Sequence, residues 1–246
     1  MTSLYEHDAD IYDIAFDWDV SEDVAWMLER LGADCRSVLE PGCGSGRIVE
    51  ALARRGVAAV GIDRSSRMIE LARLRLQRLD AASVVLADIT DFSLGRSFDG
   101  AVCPINTLLH LSPTDLTRHL EAMAAHLRPG ARYLIQLALY GPHPQLRASR
   151  WEISRGDTKL EITWATEHVE PPRLRQRSVI DVTAGSRAGE VFDETHELTA
   201  WTPDEWSAAI ERSRFRCTTV YGGDHKRVPQ GSTGPMLWHE LTCRPL

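Results

Sequence analysis

The residues of this chain best equipped for chemistry fall at a series of turns: Glu40 with Gly42, Gly44 and Gly46, then Asp63, Asp88 and His110. Glycine at every second position lets the backbone turn sharply and lets a ligand touch the main chain. Asp63 follows about 20 residues beyond that loop, a spacing at which an acid accepts hydrogen bonds from the ribose hydroxyls of a bound nucleoside. Glu40 narrows the choice, because a carboxylate beside the ligand repels a pyrophosphate and suits a cofactor carrying an ammonium and a sulfonium. A neutral imidazole at His110 can accept the proton that an amine or hydroxyl nucleophile must lose.

Each of these residues needs an element to hold it. A short apolar run at residues 37–39 reads as a strand ending in Glu40, and residues 48–56 have the 3.6 periodicity of a helix starting just past the glycines. A second strand, 58–62, delivers Asp63, and Ser65 or Ser66 caps the helix carrying Met68 and Ile69. Residues 83–87 form a third strand closed by Asp88, and 98–103 a fourth, whose following loop, 104–110, ends at His110. Ser112, Pro113 and Asp115 open a helix with a cap, a proline in its first turn and an acid three residues after the cap. It ends near Leu127, before Pro129-Gly130, and residues 133–139 form a fifth strand. Ahead of all this, Ser21 is expected to cap a helix over 22–31. Strands alternating with helices predict a parallel, doubly wound sheet. From 151 to 198 the pattern changes to alternation in twos, as in Leu160-x-Ile162-x-Trp164, which predicts four inserted antiparallel strands. Thr202 to Glu205 opens another helix, and strands near 216–221 and 237–243 finish the sheet.

The stretch from Ser37 to Arg47, with Asp63 and Asp88 behind it, closely resembles the first motifs of the class I S-adenosylmethionine-dependent methyltransferases. A dinucleotide fingerprint would read G-x-G-x-x-G instead, which disfavours a nicotinamide oxidoreductase. The resemblance is strong to about residue 139 and weak beyond. It implies an α/β fold with a doubly wound, mostly parallel seven-stranded sheet of the Rossmann-like methyltransferase type, closed by an antiparallel final hairpin and carrying an inserted antiparallel β-sheet. The implied organisation is a lid and helix at 1–34, a cofactor-binding core at 35–148, the insert at 149–200 and the rest of the core sheet at 201–246. The cofactor it implies is S-adenosyl-L-methionine. By resemblance Gly42, Gly44 and Gly46 pack the methionine and ribose against main chain, and Glu40 lies near the ammonium. Asp63 takes the ribose hydroxyls, with Arg64 and Met68 near the adenine. Asp88 contacts the adenine amino group with Ile89 beside the ring, unless it is a plain strand-end turn residue, a place aspartate favours. Arg47 either pairs with the cofactor carboxylate or sits on the surface. Tyr12, with Tyr5 and Phe16, resembles the aromatic lid of small-molecule methyltransferases that act on amino sugars; such rings suit a sulfonium. The alternative is a core-facing helical stripe. His110 is the catalytic candidate, set against a structural histidine bonded to a loop carbonyl.

The function expected is methyl transfer to a small-molecule acceptor, first to an amine nitrogen, with a hydroxyl as the alternative and a cofactor-binding protein without turnover as the third. His119 and His126 share a helix and are expected to be solvated; His143, His168 and His196 belong to the insert or its edges, where they can line a pocket. No metal is expected, because residues 104–106 offer no acid, and the acids Asp8, Asp10, Asp13, Asp17 and Asp19 read as a solvated face. A net charge of −7 argues against nucleic acid as a partner. The absence of a spanning apolar run argues against a membrane. The first residues lack the features of a signal peptide, and the five cysteines form no C-x-x-C pair, so a cytoplasmic protein with reduced thiols is expected. The insert is expected to shape the pocket or to pair two subunits as a homodimer.

Overall fold

The apolar runs assemble one sheet. Five strands lie parallel in it: β1 (Ser37–Pro41), β2 (Ala58–Asp63), β3 (Ala82–Leu86), β4 (Phe98–Cys103) and β5 (Leu127–Gln136). A second sheet holds β6 (Ala148–Arg155), β7 (Thr158–Glu170), β8 (Arg173–Ala184) and β9 (Val191–Thr199), all antiparallel, as the alternation in twos predicts. The chain then returns to the first sheet with β10 (Phe215–Tyr221), β11 (Arg227–Val228) and β12 (Trp238–Cys243). The computed structural model describes residues 3–245.

The order of the first sheet is β11-β10-β12-β5-β4-β1-β2-β3. It therefore has eight strands rather than seven. The addition is β11, a two-residue strand on the outer edge of β10, too short to leave a periodic pattern. The antiparallel hairpin expected at the end is β10 with β12, and β12 lies against β5. The fifth strand also starts earlier than its sequence suggests. Leu127 pairs with Phe98 and Arg132 with Gly100, so the chain between them, with Gly130 at φ 83°, bulges out of the ladder instead of breaking it.

Among the described residues seven α-helices join these strands: α1 (Ser3–Glu6), α2 (Ala9–Ala15), α3 (Ser21–Leu31), α4 (Arg47–Ala53), α5 (Ser66–Leu76), α6 (Pro113–His126) and α7 (Pro203–Arg212). The Ser65 hydroxyl accepts from the Met68 N–H at 3.1 Å, Ser112 accepts from Asp115 at 3.2 Å, and Thr202 with Glu205 forms a complete capping box. Ser21 does not cap α3; its own N–H is taken at 2.8 Å by Asp19 Oδ1, an acid just ahead of the helix.

Alternate residues of each core strand serve opposite faces. Val38 and Leu134 pack under α3, α4 and α5, with Met27, Val49 and Ile69. Leu39 and Ile135 pack under α6 and α7, with Leu120, Met123, Trp206 and Ile210. The insert builds a third core from Leu160, Ile162, Ile180 and Val182, and what covers it is the amino-terminal segment: Leu4, Ile11, Ala15 and Phe16. The amino-terminal segment and the insert are thus packed on each other. Among the described residues no helix is long and apolar enough to cross a membrane.

Candidate active site

The strand order reverses between β1 and β4, and a ligand crevice opens beyond the carboxyl ends of strands at such a point. The β1 end carries the glycine loop and the β4 end carries residues 104–110. Two adjoining cavities fill the crevice, of about 510 Å³ and about 710 Å³, and they share Tyr5, Tyr12, Phe16, Arg47, Ile105 and His110 in their walls.

The smaller cavity gathers all but one of the residues expected at the cofactor: Tyr12, Glu40, Gly42, Gly44, Asp63, Arg64, Met68, Asp88 and Ile89 line it, while Gly46 does not and closes the loop behind them at the start of α4. Gly42, Gly44 and Gly46 have φ of 71°, 52° and 79°, which L side chains rarely adopt. At Gly42 a Cβ would also fall 2.4 Å from the Thr107 methyl, so the two loops touch there. Gly42 and Cys43 donate to the Ile62 carbonyl at 2.7 and 3.0 Å, tying the loop to β2. Asp63 accepts from the Gly44 and Ser65 N–H groups, each at 2.9 Å. Burial still pushes its carboxyl above the usual range.

Glu40 is 3% exposed and its Oε2 has no partner. Burial drives its pKa well up, opposed by the Arg47 charge. An orphaned buried carboxylate oxygen costs free energy until a donor arrives, and beside a loop of bare main chain the donor that fits is an ammonium. This chemistry fits the amino-acid end of S-adenosylmethionine. Arg47 is not a surface residue. Its guanidinium stacks 4.5 Å above the Trp18 ring, donates to the Trp18 carbonyl at 3.2 Å and faces both cavities. Asp88 Oδ1 accepts from the N–H and hydroxyl of Thr90 at 2.8 and 2.7 Å, so it makes the strand-end turn while lining the cavity.

Several histidines and acids stand differently from their sequence reading. His119 is fully buried, with Nδ1 2.9 Å from the Ile89 carbonyl and Nε2 2.8 Å from the Tyr133 hydroxyl; it steadies the chain beside the cavity rather than facing solvent. His126 is also buried and accepts from the Leu94 N–H at 3.0 Å. Asp13 is 8% exposed and no part of a solvated face. It binds the Ser45 hydroxyl, Arg75 at 2.8 Å and Arg155 at 2.5 Å. Burial pushes its pKa up, but Ser45, Arg155 and Arg75 outweigh burial and hold it below the usual range. Asp17 shares the two arginines, and Asp8 pairs with Arg187 at 2.8 Å. His168 lies exposed beside Glu170 and lines neither cavity.

The larger cavity draws aromatic rings from several segments around it. Trp18 comes from the amino-terminal segment, Trp151, Trp164 and His196 from the insert, Tyr140 and His143 from the segment after β5, and Trp238 from β12. His196 stacks on Trp164 with ring centroids 5.0 Å apart, and Ser178 Oγ lies 3.1 Å from its Nε2. Its Nδ1 is buried without a partner. Trp164 and His196 carry little sequence signal, because strand alternation marks a face without saying what the face meets.

His110 ends the short helical turn Thr107–His110 and stands 6.0 Å, ring to ring, from Tyr5. Among the described residues its ring makes no hydrogen bond, so it is not held by a loop carbonyl. Desolvation by the crevice walls, then repulsion from His196 and Arg64, pushes its pKa down to about 4, although the residue itself is exposed where it opens on the cavity. Ahead of it, Ile105 and Asn106 both have φ of 56°. Gln136 Oε1 takes the Ile105 N–H at 2.7 Å; Asn106 Oδ1 takes the Ala138 N–H at 2.7 Å and its amide donates to the Pro235 carbonyl at 3.0 Å.

A doubly wound sheet with a crevice at its switch point is an architecture that binds nucleotide-like ligands, and comparison with known proteins gives the chemistry. Residues 38–130 match the family profile described as a methyltransferase domain. The chain is 26% identical to the dTDP-4-amino-2,3,4,6-tetradeoxy-D-glucose N,N-dimethyltransferase of Saccharopolyspora spinosa, over 92% of each chain. It is 25% identical to the dTDP-3-amino-3,4,6-trideoxy-alpha-D-glucopyranose N,N-dimethyltransferase of Streptomyces venezuelae, over 91% of this chain and 97% of that one. Its fold matches an S-adenosylmethionine-dependent methyltransferase from Clostridium acetobutylicum with a TM-score of 0.77 at 19% identity, covering 96% and 98% of the two chains. This chain is a class I S-adenosylmethionine-dependent methyltransferase.

Proposed function

We propose that the enzyme methylates the amine nitrogen of an amino sugar held in the larger cavity. The observation that carries the amine is the poverty of bases on the wall the cavities share. Burial keeps the Tyr5 phenol protonated and raises Tyr12 to about 12, Arg47 is a cation, and His110 sits at about 4. A base that weak does not deprotonate a hydroxyl at neutral pH. An amine brings its own lone pair once it is in the free-base form, so it needs only to be aimed. The two relatives that match along nearly the whole chain are named for amino sugars linked to dTDP, which supports the same acceptor class here.

S-adenosylmethionine, when bound, supplies an electrophilic methyl group on a positively charged sulfur. Glu40 would hold its ammonium, the main chain at Gly42, Gly44 and Gly46 its methionine and ribose, and Asp63 the ribose hydroxyls. Arg64, Met68, Asp88 and Ile89 would hold the adenine. Tyr5, Tyr12 and Phe16 close the shared wall and exclude water from it. His110, neutral above about pH 5, accepts a hydrogen bond from the amine N–H and turns the lone pair toward the smaller cavity. Trp164 and His196 bound the acceptor from the insert side. Positioning of this kind can supply most of the rate in a transfer that needs an in-line approach. The same reading has two copies meeting through the insert, whose β6 edge is largely exposed, in a cytoplasmic enzyme; sedimentation of the purified protein reads the pairing.

The test pairs two measurements. S-adenosylhomocysteine should raise the melting temperature while NAD does not. Then dTDP-linked amino sugars should gain one or two methyl groups by mass, and their hydroxyl counterparts none. Methylation of the hydroxyl compounds would overturn the amine.

A further inference from the structure

Asp13 divides its carboxylate between two parts of the molecule. Oδ1 faces the core, taking the Ser45 hydroxyl from the glycine loop and Arg75 from α5 at 2.8 Å. Oδ2 faces the insert, taking Arg155 Nη1 at 2.5 Å. Arg155 is the last residue of β6 and lines neither cavity. It also donates to the Asp13 carbonyl at 2.8 Å and to Asp17 Oδ2 at 3.0 Å, and Trp151, four residues earlier, donates to the Ala15 carbonyl at 2.8 Å. The carboxyl end of α2 is thus gripped from the insert while its Asp13 grips Ser45. Ser45 stands between Gly44 and Gly46, both at positive φ, where the backbone has the most freedom to lose.

We propose that Arg155 is a positioning residue for the cofactor: by holding Asp13 against Ser45, it pre-orders the glycine loop from the acceptor side of the molecule. A loop already ordered loses less conformational entropy when its ligand binds. Coupling between binding sites is reciprocal, so an acceptor that tightens the insert also tightens cofactor binding, and the cofactor tightens acceptor binding by the same factor. This rests on the reading of the glycine-loop cavity as the cofactor site.

The experiment is a double-mutant cycle read by calorimetry with S-adenosylhomocysteine, alongside melting curves of the ligand-free proteins. Arg155→Gln should weaken binding by about three- to twentyfold. Arg155→Lys keeps the charge but lacks the planar fork that reaches Asp13 and Asp17 together, and should fall between Gln and wild type. Ser45→Ala should weaken binding too, and adding Arg155→Gln to it should cost little more, because the Arg155 effect passes through Ser45. Wild-type affinity in Arg155→Gln, or effects of the two substitutions that multiply, would overturn the proposal. If Arg155→Gln does not fold, the cycle is run with Arg155→Lys, with the same non-additivity expected and multiplying effects fatal. Failure of the wild type to bind S-adenosylhomocysteine would instead refute the cofactor cavity itself.

Discussion

The two cavities meet at one wall, yet they are built in different ways. The smaller one is made by strand ends: β1, β2 and β3 each deliver an acid at or just past the carboxyl end, Glu40, Asp63 and Asp88, in a geometry the parallel sheet imposes. The larger one is assembled from segments far apart in the chain, Trp18, Trp151, Trp164 and Trp238 among them, and its walls depend on the insert sitting on the lid. The first gathers acids around bare glycine main chain and holds an orphaned carboxylate oxygen on Glu40; the second gathers four tryptophans among aliphatic and polar neighbours. The difference teaches that the cavity proposed for the cofactor belongs to the fold, whereas the one proposed for the acceptor belongs to additions packed onto it.

Substitutions that strike one cavity and spare the other test that division. The largest effect is expected at Asp63. Asp63→Ala removes the partner of two ribose hydroxyls and also strands the Gly44 and Ser65 N–H groups, so affinity for S-adenosylhomocysteine should fall by about a hundredfold or more in calorimetry. A loss below tenfold would detach Asp63 from the cofactor.

His110→Ala comes next, with turnover reduced by about ten- to a hundredfold and cofactor affinity unchanged. Its pH dependence carries more than its size. With the imidazole at about 4, the wild-type rate between pH 5.5 and 9 should rise with deprotonation of the amine alone, and the variant should keep that shape. A wild-type inflection near 6.5 that vanishes in the variant would make His110 a titrating base. Trp164→Ala should raise the acceptor KM by about tenfold, through lost ring contact, and leave the cofactor untouched; a matching loss of cofactor affinity would erase the boundary between the cavities.

The smallest expected effect is on stability. Asp13 has its folded pKa held below the unfolded value, so its contribution is fully present above about pH 4 and is lost as pH falls through the folded value. The melting temperature of Asp13→Asn should therefore lie below that of the wild type at pH 6, with the gap closing below pH 4. A gap constant with pH would mean that the carboxylate charge contributes nothing.

The same division decides what the sequence reveals. The acids and glycines brought to the smaller cavity are legible because each is tied to a local rule: glycine where φ is positive, an acid where a parallel strand ends. The strand alternation from 151 to 198 gives the insert its four strands for the same reason. Asp13 and His119 are misread because their partners are remote. Arg155 lies 142 residues from Asp13, and the Tyr133 hydroxyl that accompanies His119 sits on β5, beyond the end of the helix that carries the imidazole. A charged or imidazole side chain on a helix looks solvated until something distant covers it. Trp164 and His196 fall between the cases: their face of the sheet is predictable and its occupant is not.

The loop ahead of His110 has a further consequence. Ile105 is a β-branched residue held in the left-handed region at φ 56°, which costs about 1–2 kcal/mol relative to a residue at home there. Gln136 and Asn106 hold it in place from both sides, so the strain is retained in the native state rather than relaxed. The enzyme is less stable than its own backbone allows, and the deficit is concentrated where the two cavities meet. Ile105→Asn would relieve it and should raise the melting temperature by a few degrees. If the strained loop is what keeps His110 aimed, that gain will come with slower turnover, so heat resistance and rate pull this one position in opposite directions.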